Sequence, residues 1–268
     1  MPRNAFACRM AVGVVSSQLS MKPQVPYSMP RLFPLRYWTQ VPASSIQACM
    51  RQLFAAWGLP ERLRVDNGAP WGSWNDLPPA LALWWMGLGI GLIWNHPHRP
   101  QENGFVERMN GLVDQWGEPS SCPSFARWSE RIAWVVQTQR EEYPAKQGQS
   151  RGAAYSGLYT NGRRYMREEE AKVWDLGKVQ AYLAQGRWVR QVSRVGQITL
   201  YDRTYGIGRT YAKSQVWVRY DTSTAAWVVQ DAQGQEVARH PASQITAACI
   251  CRLEVRYRKH GLQPDTPA

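Results

Sequence analysis

Two acids in this chain sit where carboxylate chemistry could be done. Asp66 follows the short strand pattern "RLRV" (62–65) and opens Asp66-Asn67-Gly68. Glu107 lies in "HRPQENGFVERMNG", just inside a new helical pattern. Either acid alone has an ordinary reading. Asp-Asn-Gly is a common turn, because Asp and Gly tolerate the backbone angles a turn needs. A glutamate in a first helical turn is favoured by the helix dipole by about 0.3–1 kcal/mol. Taken together they read differently. One acid ends a strand, the other opens a later helix, and one helix and one strand separate them. That arrangement can bring both carboxylates to one edge of a sheet. Hard oxygen ligands so placed suit Mg²⁺ or Mn²⁺. Two such ions about 3.5–4 Å apart can clamp the attacking and leaving oxygens of a phosphodiester.

The elements that must position these acids are legible in the hydrophobic period. Ser44 and Ser45 offer N-caps for a helix in which Ile46, Met50, Leu53, Phe54 and Trp57 recur at helical spacing, ended by Gly58. "RYWTQV" (36–41) and "RLRV" (62–65) read as short strands. Pro78 and Pro79 open a helix, "PALALWWMGLG", and "IGLIW" (90–94) reads as a buried strand. Beyond the 96–100 loop, Phe105, Met109, Leu112, Val113 and Trp116 form one helical stripe. Glu107 lies about 200° round the helix from Phe105, on the face of Asn110, Gly111 and Asp114. A further helix is predicted over about 125–141, with Phe125, Trp128, Ile132, Val135 and Val136 inward. The order is that of an α/β layer.

After about residue 150 the pattern changes. Residues 168–186 read as a helical connector. Short strands at close, even spacing then predict a small antiparallel barrel. Its strands carry Arg190, Arg194, Arg203, Arg209, Lys213 and Arg219 among Tyr201, Tyr205, Tyr211 and Trp217. Interleaved cations and aromatics suit a surface that tracks phosphates; the plainer alternative is a solvated barrel face over an aromatic core. The glycine strings 87–91 and 205–209 lack the strand–turn–helix setting of a nucleotide loop and read as turns. His96 and His98 have no ligand partner at metal spacing.

Composition narrows the class. The 268-residue chain has a formal charge of +12, which draws polyanions. Residues 1–150 carry 14 Lys and Arg against 10 Asp and Glu, and residues 151–268 carry 18 against 10. No apolar run reaches the roughly 18 residues a bilayer needs, so no membrane partner is expected. Gly13 and Ser16 break the apolar start and argue against a signal peptide. Five cysteines without a C-x-x-C pair give no disulfide framework or zinc site and fit a reduced cytoplasm.

"GLPERLRVDNG" and "HRPQENGFVERMNG", in that order, resemble the second catalytic aspartate and the catalytic glutamate segments of integrase-type insertion-sequence transposases and retroviral integrases. "SGLYTNGRRY" (156–165) is similar to the segment closing that catalytic region. The resemblance covers about residues 31–165. It implies an RNase-H-like (integrase) core, N-terminally incomplete, followed by a small all-β SH3-like barrel. The implied reaction is metal-dependent DNA strand cleavage and transfer, with Mg²⁺ or Mn²⁺ as cofactor and Asp66 and Glu107 as catalytic metal ligands. Arg99, Asn103 and Arg108 would lie beside DNA, with Arg194, Arg203, Arg209 and Lys213 as further DNA contacts. The implied partners are transposon-end and target DNA, a second copy or a full-length transposase, in a bacterial, nucleoid-associated setting.

Two departures follow. Forty residues separate Asp66 from Glu107, with the surplus in the loop "APWGSWNDLPP". No aspartate precedes Asp66, and Glu61 is the one glutamate there, so the triad's first member has no match. The expectation is therefore a truncated transposase, inactive alone, or else a non-catalytic DNA-binding or inhibitory fragment. The expected organisation is an irregular start (1–30), partial catalytic core (31–150), connector (151–186), barrel (187–248) and tail (249–268).

Overall fold

The computed structural model describes residues 19–21, 42–65, 67, 71–72, 76–96, 112, 115–154 and 163–256. The fold is mixed α/β and divides into two units: Met1–Asp66 with Ile90–Ala171, and Asn67–Gly89 with Lys172–Ala268.

The first unit holds a parallel sheet of β1 (Leu19–Met21), β2 (Arg62–Val65) and β3 (Gly91–Trp94), with β2 in the middle. Helix α1 (Ala43–Trp57) buries Ile46, Cys49, Met50, Leu53 and Phe54. The chain leaves α1 through Gly58, whose φ of 80° lies in the left-handed region that glycine tolerates. Arg51 of α1 grips Glu170 with two hydrogen bonds, 2.8 and 2.6 Å, and the Tyr165 hydroxyl donates to the same carboxylate. That network fixes the segment after residue 163 onto α1. Helix α3 (Phe125–Glu141) buries Trp128, Ile132, Val135 and Val136 as one cluster, with Trp116 and Cys122 packed against it. It is capped by Ser124, whose side chain accepts from the Arg127 amide at 3.3 Å. Strands β4 (Pro144–Lys146) and β5 (Gln149–Ser150) form a hairpin ahead of the short α4 (Arg151–Ala154).

The second unit is built on α2 (Ala80–Gly87). All eight residues of α2 are buried, as a helix apolar all round requires. It packs with α6 (Leu176–Gln185) and α7 (Ala247–Cys251). Trp85 stacks on Trp71 with ring centres 5.6 Å apart. The Trp174 indole, which follows α5 (Glu170–Val173), donates to the Trp84 carbonyl at 3.0 Å. Strands β6 (Trp188–Gln191), β9 (Gln215–Asp221), β10 (Ala226–Gln230) and β11 (Glu236–Pro241) form a four-stranded antiparallel sheet in the order β11-β10-β9-β6. β7 (Gln197–Leu200) and β8 (Arg203–Gly206) form a separate hairpin. Val216, Val218, Tyr220, Trp227 and Val229 fill the core.

The structure departs from the sequence reading at several points. Residues 67–89, expected inside the catalytic core, belong to the second unit, because α2 buries its whole surface there. The stretch 1–30, expected to be irregular, contains β1. The connector breaks at Trp174 and Asp175, where Asp175 caps α6 by accepting from the Gly177 amide at 2.8 Å. The expected tail starts inside α7, and Ile250 and Val255 are buried. Helix α1 begins at Ala43 after Pro42, so Ser44 and Ser45 lie in its first turn and do not cap it. β3 is only partly covered. The strand expected at 36–41 lies outside the described residues. Of the helix expected from Asn103, Leu112 and the stretch 115–117 are described, as helix.

Candidate functional site

The parallel sheet has one edge of chemical interest. Met21, Val65 and Trp94 pair in a row at the carboxyl ends of β1, β2 and β3. Open parallel sheets carry ligand groups just beyond such ends, and Asp66 is the residue that follows Val65 in the chain. Asp66, Glu107, Arg99, Asn103 and Arg108 lie outside the described residues. What is described beside that row is Asn95, directly after β3. It is buried, its amide donates to the Val65 carbonyl at 2.9 Å, and its Oδ1 accepts from Arg64 Nη1 at 3.3 Å. Sequence reasoning passed over Asn95. Its signal was there: a polar residue directly after a five-residue apolar run.

Among the described residues no three His, Cys, Asp or Glu side chains gather into a metal site. Asp76, an acid near Asp66 in sequence, is engaged elsewhere. Its Oδ1 accepts from Arg190 Nη2 at 2.8 Å and from the Leu77 amide at 2.7 Å, within the second unit.

The basic residues of the second unit separate into groups. Arg194, Arg209 and Lys213 are exposed, and their loops meet. The Gly196 carbonyl accepts from the Ile207 and Gly208 amides at 2.8 and 3.1 Å. The approach is so close that a Cβ on Gly196 would lie 2.5 Å from the Gly208 carbonyl carbon. Lys213 donates its amide to the Val192 carbonyl at 3.0 Å, and Val192 donates to Ser214 at 2.9 Å. Three cations thus converge on one loop junction, and none forms an ion pair among the described residues. Arg203 stands apart. It pairs with Leu200 at the far end of the β7–β8 hairpin and donates to Ser243 Oγ at 2.5 Å. The three-residue rise of β7 puts it roughly 10 Å from the junction.

Three residues of the expected basic and aromatic surface are interior instead. Arg190 is buried against Asp76. Tyr201 is buried and donates to the Pro78 carbonyl at 3.0 Å, and Tyr205 is buried and donates to Gln244 Oε1 at 3.0 Å. Arg190 and Tyr205 take inward positions on β6 and β8, where inward residues alternate with outward ones, and Tyr201 is turned in at the β7–β8 turn with a φ of 59°. Trp217 stays half-exposed, with the Arg187 guanidinium 5.2 Å from its ring centre. Beyond them, Arg239 joins Asp221 and Glu236. The guanidinium holds the Asp221 carboxyl well below the usual carboxylate range, helped by the Ser223 and Thr224 hydroxyls, and lowers Glu236 likewise. Arg239 is therefore neutralised locally, whereas the Arg194–Arg209–Lys213 junction keeps its charge.

No family model matches the chain. Solved structures do align with it, among them a chain in the cryo-electron-microscopy structure of the simian T-cell lymphotropic virus intasome in complex with the PP2A regulatory subunit B56 gamma. That alignment has a TM-score of 0.35 and 13% identity, and covers 75% of this chain and 63% of the other. The likeness to an intasome chain is weak. Among the described residues no helix is long and apolar enough to cross a membrane.

Proposed function

We propose that this chain is an integrase-type transposase polypeptide that binds DNA. In this reading the first unit is an RNase-H-like core, and Asp66 and Glu107 are its metal carboxylates. Mg²⁺ or Mn²⁺ held there would supply charge neutralisation at a scissile phosphate. The β-rich unit would hold the DNA backbone through Arg194, Arg209 and Lys213. One observation carries the reading: "VDNG" continues from the middle strand of a parallel sheet, and "HRPQENGFVERMNG" comes after the next strand of that sheet.

A second reading, a non-catalytic DNA-binding or inhibitory subunit, is favoured by a specific fact. Asp76, the next aspartate after Asp66, is bound to Arg190. Two carboxylates hold two divalent ions poorly, and misplacing a reacting group by about 1 Å can cost about 10²-fold in rate. Both readings require DNA binding. Titration of a labelled duplex should show affinity falling as salt rises. Replacing Arg194, Arg209 and Lys213 by Ala should flatten the slope by about 0.9 for each phosphate that is no longer neutralised. Arg203→Ala should flatten it by no more than a single phosphate's share. Salt-independent binding, or none, refutes both readings. Strand transfer with Mg²⁺ or Mn²⁺ separates them: product that disappears in Glu107→Gln supports the catalytic reading, and its absence in the parent chain supports the other.

A further inference from the structure

The outward face of α3 is unlike the rest of that helix. Arg127, Arg131, Trp134 and Thr138 follow one another at helical spacing, in a stripe beside the buried Trp128–Val136 cluster. Trp134 is 51% exposed, unusual for so large an apolar ring. The Arg131 guanidinium lies 5.5 Å from its ring centre. Arg131 is held there by Nε donating to the Trp116 carbonyl at 2.9 Å and by an ion pair to Glu118 at 3.1 Å. The Trp116 ring lies 6.2 Å from that of Trp134, inclined by 33°, and Tyr143 meets Trp116 edge-on. Gln115, Trp116, Glu118, Arg131, Trp134 and Thr138 line a cavity of about 410 Å³.

We propose that this cavity holds an unpaired base of single-stranded DNA, stacked on Trp134 beside Arg131. The inference rests on the DNA-binding reading above and adds a second, non-duplex contact to it. A base is a flat π-face with hydrogen-bonding edges. Aromatic rings and guanidinium planes are the groups that stack on it. Trp134 supplies the ring and Arg131 the guanidinium, pinned at two points before any ligand arrives. Gln115, Thr138 and Glu118 line the same cavity with an amide, a hydroxyl and a carboxylate, which can meet the edge of a base. The overall charge of +12 favours a polyanionic strand over a neutral ligand. A proline-rich peptide, the other familiar ligand of exposed Trp, docks into aromatic-lined grooves. Here the Trp134 and Trp116 rings are inclined to each other by 33°, and Trp134 is 51% exposed.

The test uses the full chain with a labelled oligothymidylate and, separately, a labelled duplex. Trp134→Ala should weaken single-strand binding by about 5- to 150-fold and leave duplex binding unchanged. Trp134→Phe, which keeps a flat ring, should restore most of that affinity. Because Trp134 is exposed, circular dichroism of both variants should match the parent. Equal effects on the two DNAs, or none on the single strand, would overturn the inference while the duplex reading stands. Failure of the parent chain to bind either DNA would remove both. Tryptophan quenching by a proline-rich peptide, dependent on Trp134 and without a matching effect of oligothymidylate, would assign the cavity to a protein ligand instead.

Discussion

Replacing Asp76 by Ala should unfold the second unit far more readily than a loop acid normally would. Asp76 and Arg190 are 114 residues apart in sequence and form an ion pair at 2.8 Å, with side chains only 10% and 5% exposed. Arg190 also donates to the Val189 carbonyl at 2.8 Å, and Asp76 accepts from the Leu77 amide at 2.7 Å. Removing the carboxylate strands a guanidinium out of water, at a cost of about 3–5 kcal/mol. That is a large share of a typical stability of about 5–15 kcal/mol. The expected asymmetry is diagnostic. The double variant Asp76→Leu with Arg190→Met removes both charges and should recover most of that stability, to within about 1–2 kcal/mol of the parent. Urea unfolding followed by tryptophan fluorescence reads the difference, since Trp84, Trp85, Trp174, Trp188 and Trp227 all lie in this unit. Hydrogen exchange at α2 and β6 localises it. A change below about 0.5 kcal/mol in Asp76→Ala, the size of an ordinary surface substitution, refutes the reasoning. So does a double variant less stable than either single one.

Gly87→Ala should also destabilise the second unit, because its new Cβ would lie 2.1 Å from the Trp174 ring. Overpacking of this kind costs about 1–3 kcal/mol, and displacing Trp174 breaks its bond to the Trp84 carbonyl; a midpoint equal to the parent's in urea would show that the ring has room to move. The Tyr182 phenol is pushed up by burial from 10.0 to about 12. A raised phenol contributes stability that is intact below the unfolded value and is lost as pH climbs through the folded one. Stability should therefore fall between about pH 10 and 12, by roughly 2–3 kcal/mol from this group, and Tyr182→Phe should flatten that part of the profile; an unchanged profile in the variant would refute the assignment.

Local pattern was enough for much of the chain. β2 was legible as "RLRV" and α3 as residues 125–141, because alternation and the 3.6-residue period are written in neighbouring side chains. The end of α1 at Gly58 and the start of α2 after Pro79 follow from backbone chemistry that one residue carries. The candidate acids Asp66 and Glu107 were legible too, as residue types in characteristic surroundings, although their geometry lies outside the described residues. Destination was not legible. Helix α2 is apolar on every side, so its own sequence says that it is buried but not in which unit; packing with α6 and α7 decided that. Arg190 has the same basic side chain as Arg194, and only the fold made one an interior partner of Asp76 and left the other exposed at a loop junction. The convergence of Arg194 with Arg209 and Lys213, and the packing of Trp116 against Trp134, arise from contacts that no sequence period encodes. Periodicity records which face of an element is apolar, whereas the partner for that face is chosen by shape and charge across the assembled chain.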